Sequence, residues 1–320
     1  MFSVIEKEEG GFKKIVLQND TNRVEIIPNC GAILNAWHVL INGYWQNVIE
    51  GYDSEADFRE HCESKGFRSC KLSPYVCRIS KGQYQFNGVD YSIGKFGFDE
   101  NNIHGLMYDV EFDVVHQQAD EAMAMVQVEI CYPGSDAGFP FQYTIMVEYV
   151  LQADNTLTLI TRVLNQHEEP IPIADGWHPY FILGGSINDY TFTMATDTML
   201  EFDEQLIPTG KVLAFTKFQQ AELIGDTFLD NSFVLQHPLK GAACVLTNPL
   251  NNLQLEVLPE ASYPILQVYT PDHRNSIAIE NLSAAPDAFN NRIGLIYLEP
   301  NQTKTFSTTY KISSVEPAIS

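Results

Sequence analysis

The hairpin written into Tyr84-Gln85-Phe86, Asn87-Gly88 and Val89-Asp90-Tyr91 constrains this chain more than any other feature of its sequence. Asn-Gly is the preferred pair for a type I′ turn because both central residues need positive φ, and the flanking alternation of apolar and polar residues has the period of a strand. The pattern recurs. A second hairpin is predicted from Tyr143 to Leu151, through Asp154-Asn155, and on through Leu157, Leu159 and Val163, and Asn42-Gly43 marks a third. Further strand-like runs lie at 125–130, 253–258, 265–270, 277–280 and 306–312. Helical periodicity is scarce. The best helix candidate covers 53–64, where Asp53 or Ser54 would cap an acidic first turn.

The chain has 320 residues, and no Pro/Gly/Ser-rich linker interrupts the run of strands. An immunoglobulin-like domain uses only about 100 residues, and a propeller would show blade repeats, which this sequence lacks. The expected fold is therefore all-β, a large antiparallel β-sandwich forming one domain over residues 1–320.

With 19 basic and 41 acidic side chains the formal net charge is −22. Affinity for nucleic acid or anionic lipid comes largely from Lys and Arg, so neither is expected as a partner, and neutral ligands fit better than anionic ones. No apolar run reaches the roughly 18 residues that span a bilayer, and the first residues do not read as a secretory signal, so a cytoplasmic location is expected. The six cysteines (30, 62, 70, 77, 131 and 244) read as buried thiols. His61, Cys62, Cys70 and Cys77 sit close in sequence, but their spacing matches no zinc pattern, and no metal is expected.

Several polar residues stand where they need an explanation. His178 is held between Trp177 and Pro179, and proline restricts the residue before it to extended geometry, which makes a rigid mount for an imidazole. A packed aromatic corner would account for it as well. Glu280 ends the apolar run 277–279 and must either find partners or shift its pKa upward, unless it is a solvated strand end. His104 precedes Gly105 in what reads as a loop, and a purely structural histidine is a common alternative there. Arg78 is flanked by apolar residues, as a guanidinium awaiting a carboxylate or an oxygen-rich ligand would be. Asp230-Asn231 would supply a carboxylate for hydroxyl groups or simply form a turn.

In order, Arg78-Ile79 with Gly82-Gln-Tyr-Gln-Phe-Asn-Gly88, Asn102-Ile-His104-Gly105, His178-Pro179-Tyr180-Phe181, Gln267-Val-Tyr269-Thr270, and Ile277-Ala-Ile-Glu280 with Pro286-Asp287-Ala-Phe289-Asn290 resemble the aldose 1-epimerase (galactose mutarotase) family. The resemblance covers Arg78 to Asn290, about two-thirds of the chain. It implies a large galactose mutarotase-like β-sandwich and interconversion of the α and β anomers of a free aldose. It also implies Glu280 as general base toward the anomeric hydroxyl, His178 as general acid toward the ring oxygen, and His104 assisting. Arg78, Asp230 and Gln267 would hold hydroxyls. No cofactor is implied, the partner is a small sugar, and the assembly is a monomer or homodimer. Where relatives continue after His-Gly with a Gly-rich, Phe-containing stretch and a Trp, this chain has Leu106-Met107-Tyr108-Asp109, and after Phe181 it has Ile182-Leu-Gly-Gly in place of Asn-Leu.

Two other readings follow from the same resemblance. A hexose 6-phosphate epimerase would place an Arg shortly after the His-Gly pair, where this chain has Leu106, Met107 and Tyr108, and the net charge opposes a phosphosugar. A non-catalytic sugar-binding protein on the same sandwich has no evident need for Glu280 together with His104 and His178. Polysaccharide lyases on related sandwiches rank last, since they lean on helical domains that this sequence lacks.

Overall fold

Asn87 and Gly88 take φ of 50° and 80°, and Asp154 and Asn155 take 57° and 53°, so both turn pairs have the geometry their residue types favour. They join Gln83–Phe86 to Val89–Ser92 and Tyr143–Gln152 to Thr156–Asn165 in antiparallel register. Asn42-Gly43 likewise joins Ile33–Ile41 to Tyr44–Asn47. The computed structural model describes residues 1–95, 97–98 and 100–315, with backbone only at 97–98, so the tail beyond Val315 lies outside the described residues. Strands hold 51% and helices 5% of the structure, as an antiparallel sandwich requires. The main helix is shorter than the 53–64 expectation. It runs Glu55–His61, capped by the Ser54 hydroxyl accepting from the Asp57 amide.

Two large sheets form the sandwich, and the second of them carries most of the candidate site. The nine-stranded sheet runs in the order Asp113–Ala119, Met123–Tyr132, Tyr143–Gln152, Thr156–Asn165, Thr303–Ser314, Leu253–Pro259, Cys244–Asn248, Thr191–Met194 and Glu222–Leu223. Its members alternate cleanly, as in Thr156–Asn165, where every second residue is buried. The second sheet runs Pro208–Ala214, Thr198–Phe202, Asp230–Val234, Ile265–Tyr269, Ile277–Leu282, Gly176–Trp177 and Lys71–Leu72, with Tyr180–Phe181 also pairing against Ile277–Leu282. A five-stranded sheet from the first 47 residues flanks them.

Aromatic side chains join the layers. Trp177 meets Tyr149 edge-on with centroids 5.7 Å apart, Phe181 meets Tyr310 at 5.3 Å, and the Asn281 amide donates to the Tyr310 hydroxyl at 2.9 Å. Because side chains alternate along a strand, inward-facing Trp177, Phe181, Ile279 and Asn281 put His178, Tyr180 and Glu280 on the opposite face. Every residue of Ile277–Leu282 is buried, so that opposite face is covered too. Glu280 is therefore no solvated strand end.

Three expectations need correction. Asp230-Asn231 opens the strand Asp230–Val234 instead of forming a turn, because both residues pair in register with Tyr269 and Val268. Asn101–Ile103 is a short strand paired with Arg78–Ile79, and only His104 and Gly105 turn out of it. Cys131 is exposed at the outer face of its strand, whereas the other five thiols are buried. Cys62 and Cys70 touch, with sulfurs 3.7 Å apart. Among the described residues, no helix is long and apolar enough to cross a membrane.

Candidate active site

Register builds the first row of the site. Ser232 pairs with Gln267, and Gln267 pairs with Glu280, so three polar side chains stand side by side across three adjacent strands. Gln267 is fixed at both ends of its amide. Its oxygen accepts from the Ser232 hydroxyl at 2.5 Å and its nitrogen donates to an Asp230 carboxylate oxygen at 2.8 Å.

His178 completes the row. Its Nε2 lies 3.4 Å from Glu280 Oε1, and its ring stacks on Tyr180, two residues on, at 5.1 Å and 8° between planes. The backbone is held equally firmly, since the His178 amide donates to the Cys70 carbonyl and its carbonyl accepts from the Ser69 amide. His104 approaches from outside the sheet, edge-on to His178 at 4.9 Å and backed by Phe67 at 4.7 Å.

Local sequence explains how His104 arrives there. The pairing of Ile103 with Arg78 and the bond from the His104 amide to the Cys77 carbonyl bring the two segments together. His104 then takes φ 62°, uncommon for a residue with a Cβ, and Gly105 follows at 83°. A Cβ on Gly105 would sit 2.2 Å from the Ser73 carbonyl oxygen, so only glycine fits. Asp287 braces the other partner. Its amide donates to the Arg78 carbonyl at 2.7 Å, and its carboxylate accepts from the amide of Ser80 at 2.9 Å and from Asn290 at 2.7 Å. The Pro286–Asn290 motif thus holds the Arg78 segment in place without being part of the site.

Electrostatics follow from burial. Glu280 is pushed well above the usual carboxylate range by burial, with Asp230 adding to the effect and Arg78 opposing it. His178 is pulled down to about 4, by burial first and by the Arg78 charge as well. Burial, His178 and Arg78 also hold His104 well below the usual imidazole range. Asp230 is raised by burial against the pull of Arg78 and Gln267. The Arg78 charge thus bears on all four groups. Glu280 Oε2 and Nδ1 of both His104 and His178 are buried without hydrogen-bond partners, capacity that a polar ligand can take up.

Contacts and register therefore bring Glu280, His178, Gln267, Asp230 and His104 together, and the backbone of Arg78 lies opposite Ile103, next to His104. Ser232, Tyr180 and Phe67 were missed. Tyr180 was findable, since it lies two residues from His178 and shares its face, whereas Phe67 reaches the site only through a turn at φ 56° that nothing in its sequence announces. The Leu106-Met107-Tyr108 stretch is folded away. The Leu106 and Met107 amides both donate to the Ser73 carbonyl, and all three side chains are buried.

The family model for aldose 1-epimerase matches residues 13–311. This chain belongs to the aldose 1-epimerase family. It is 28% identical to human galactose mutarotase over 217 residues, 66% of this chain, and the match spans only 60% of that protein's length. It is 26% identical to an aldose 1-epimerase from Streptococcus thermophilus over 210 residues, covering 64% of this chain and 59% of the relative. A galactose mutarotase-like protein from Clostridium acetobutylicum superposes with a TM-score of 0.86 at 18% identity, over 98% of this chain and 99% of the other. A galactose 1-epimerase from Lactobacillus acidophilus does so with 0.81 at 20% identity, over 99% of each chain. At these identities the structural likeness is one of fold, and it makes this family member a galactose mutarotase-like sandwich.

Proposed function

We propose that this protein interconverts the α and β anomers of a free, uncharged aldose, with Glu280 and His178 as the proton-transfer pair. The observation that carries the reading is the 3.4 Å between His178 Nε2 and Glu280 Oε1 on a buried face. The anomeric hydroxyl and the ring oxygen of a pyranose are bonded to the same carbon, so a base for one and an acid for the other must stand close together.

Burial favours the neutral form of each group, so the resting pair carries one proton, on Glu280. Transfer of that proton to His178 gives the carboxylate and imidazolium without changing the proton count. Glu280 then takes the proton of the C1 hydroxyl while His178 gives its own to the ring oxygen. The C1–O5 bond breaks, the C1 carbonyl forms, and rotation about C1–C2 presents the other carbonyl face. Closure reverses both transfers and returns the pair to its starting state. Each positioned group contributes roughly 10²–10⁴-fold. Arg78, Asp230 and Gln267 provide donors and acceptors for ring hydroxyls, and neutral His104 adds one more.

The engagement of Arg68 and Lys95 by protein groups supports a neutral substrate over a phosphosugar. Arg68 is paired with Glu50 at 2.8 Å, and Lys95 is bound to Asp109 and to the Leu106 carbonyl. Polarimetry on freshly dissolved α-glucose and α-galactose, beside a hexose 6-phosphate, tests the reading. The expected result is decay of rotation faster than the spontaneous rate for a free hexose. A large preference for the phosphate would promote the alternative epimerase, and sugar binding without acceleration would leave a carbohydrate-binding protein.

A further inference from the structure

The segment 106–109, where the chain departs from its relatives, is fixed from several sides. The Leu106 and Met107 amides donate to the Ser73 carbonyl, and the Asp109 carbonyl accepts from Arg59 at 2.6 Å. Lys95 closes it. Its ammonium donates to the Leu106 carbonyl at 2.8 Å and to the Asp109 carboxylate, and it lies 3.9 Å over the centre of the Tyr108 ring. From there a column of edge-on rings runs to the candidate active site. Tyr108 meets Phe67 at 5.1 Å and 84°, Phe67 meets His104 at 4.7 Å and 63°, and His104 meets His178 at 4.9 Å and 86°. Edge-to-face pairs are directional, because the positive edge of one ring seeks the negative face of the next, and a cation over the outermost ring is held by the same field.

We propose that Tyr108 and Phe67, with Lys95 behind them, are positioning residues that aim the His104 imidazole at the sugar. The part given to His104 rests on the mutarotase reading above. His104 Nδ1 is buried with no hydrogen-bond partner among the described residues, so nothing at that nitrogen turns the ring, and its direction comes from the rings it touches. Phe67 supplies one of those contacts, and its backbone is set at both ends. It stands at φ 56°, its amide donates to the Cys62 carbonyl at 2.8 Å, and its carbonyl accepts from the Cys70 amide at 3.1 Å. The Phe67 side chain is then confined by Tyr108. Tyr108 is itself held by Lys95 and by the close approach of Gly31, where a Cβ would sit 2.0 Å from the Tyr108 carbonyl oxygen. Tyr108 and Phe67 are both almost fully buried, which suits a role exerted through His104 and not on the sugar itself.

The experiment measures kcat and KM for a free hexose in wild type, Tyr108→Phe, Tyr108→Leu and Lys95→Met, each also combined with His104→Gln. Tyr108→Leu should raise KM roughly three- to tenfold, the size of one aromatic contact, with kcat changed less than about twofold, and Tyr108→Phe should keep the wild-type values. Lys95→Met should raise KM about two- to threefold. In the His104→Gln background none of these substitutions should alter KM further, since the residue they aim is gone. An unaltered KM in folded Tyr108→Leu, or an equal rise with and without His104, overturns the proposal. Lys95→Met, at a partly exposed side chain, carries the same cycle if Tyr108→Leu does not fold. If no sugar is turned over, the mutarotase reading fails separately, and NMR of the imidazoles then decides. The resonances that vanish in His104→Gln report His104. Their displacement by Tyr108→Leu but not by Tyr108→Phe supports the positioning role, and their constancy in both refutes it.

Discussion

Lys71 and Asp175 form an ion pair of 2.6 Å in which both side chains are completely buried beneath the site sheet. The Tyr263 hydroxyl donates to the same carboxylate oxygen, and the ammonium lies 4.5 Å over the ring of Trp177, the inward neighbour of His178. Burial pulls Lys71 down to about 8 and pushes Asp175 up, so both shifts oppose the charged forms. Such a pair costs nearly as much to desolvate as it returns. Breaking it is another matter, because one charge is then stranded. Lys71→Met alone should destabilise the protein by about 3–5 kcal/mol, and Lys71→Met with Asp175→Leu should recover most of the loss. Thermal denaturation of the two variants is the check, and a double variant that melts as low as the single one would refute it.

The proton shared by Glu280 and His178 sets a pH window. Below about 4 both groups are protonated and no base remains, and because Glu280 is still neutral there it lends His178 no anionic charge. Above the raised pKa of Glu280 the pair has no proton to give. The profile of kcat/KM should therefore be flat between an acid limb near pH 4 and an alkaline limb well above the ordinary carboxylate range. Both limbs belong to the pair. A single limb near pH 6.5, that of an unperturbed imidazole, would contradict this assignment.

Removing the base while keeping its shape isolates its role. Glu280→Gln should lower kcat by roughly 10²-fold or more with a modest change in KM, and His178→Asn should do much the same. Since the two act in one exchange, the double variant should lose less than the sum of the single losses in free energy. Near wild-type mutarotation by folded Glu280→Gln would remove Glu280 as the base.

Gly105→Ala tests whether His104 depends on its neighbour. The added Cβ meets the Ser73 carbonyl at 2.2 Å, and the backbone is at φ 83°, so the turn must move. A stability loss of about 1–3 kcal/mol is expected, together with a rise in KM as His104 leaves its place between Phe67 and His178. An alanine variant with unaltered melting and kinetics would show that this close approach is dispensable.

The sheet-building part of the fold was open to reading because its signals are local. Asn87-Gly88 and Asp154-Asn155 carry their turn geometry in their own side chains, and Leu157, Leu159 and Val163 carry the period. Glu280 and His178 stood out as polar residues in apolar surroundings. The strand role of Asp230-Asn231 is different in kind. It is imposed by pairing with Tyr269 and Val268, almost forty residues later, and this overrides the turn preference of Asp-Asn. The Lys71–Asp175 pair spans a far wider gap, and neither neighbourhood contains a hint of the other.

The strand Thr303–Ser314 lies in the middle of the nine-stranded sheet, between Thr156–Asn165 and Leu253–Pro259. During synthesis the two halves of that sheet emerge first, each with a long hydrogen-bonding edge facing a gap. The layer on which Trp177, Phe181 and the candidate active site rest cannot close until this segment has left the ribosome. The nascent chain is therefore exposed to strand-mediated association through about the second half of its translation, and its yield in the cell depends on how well those edges are shielded.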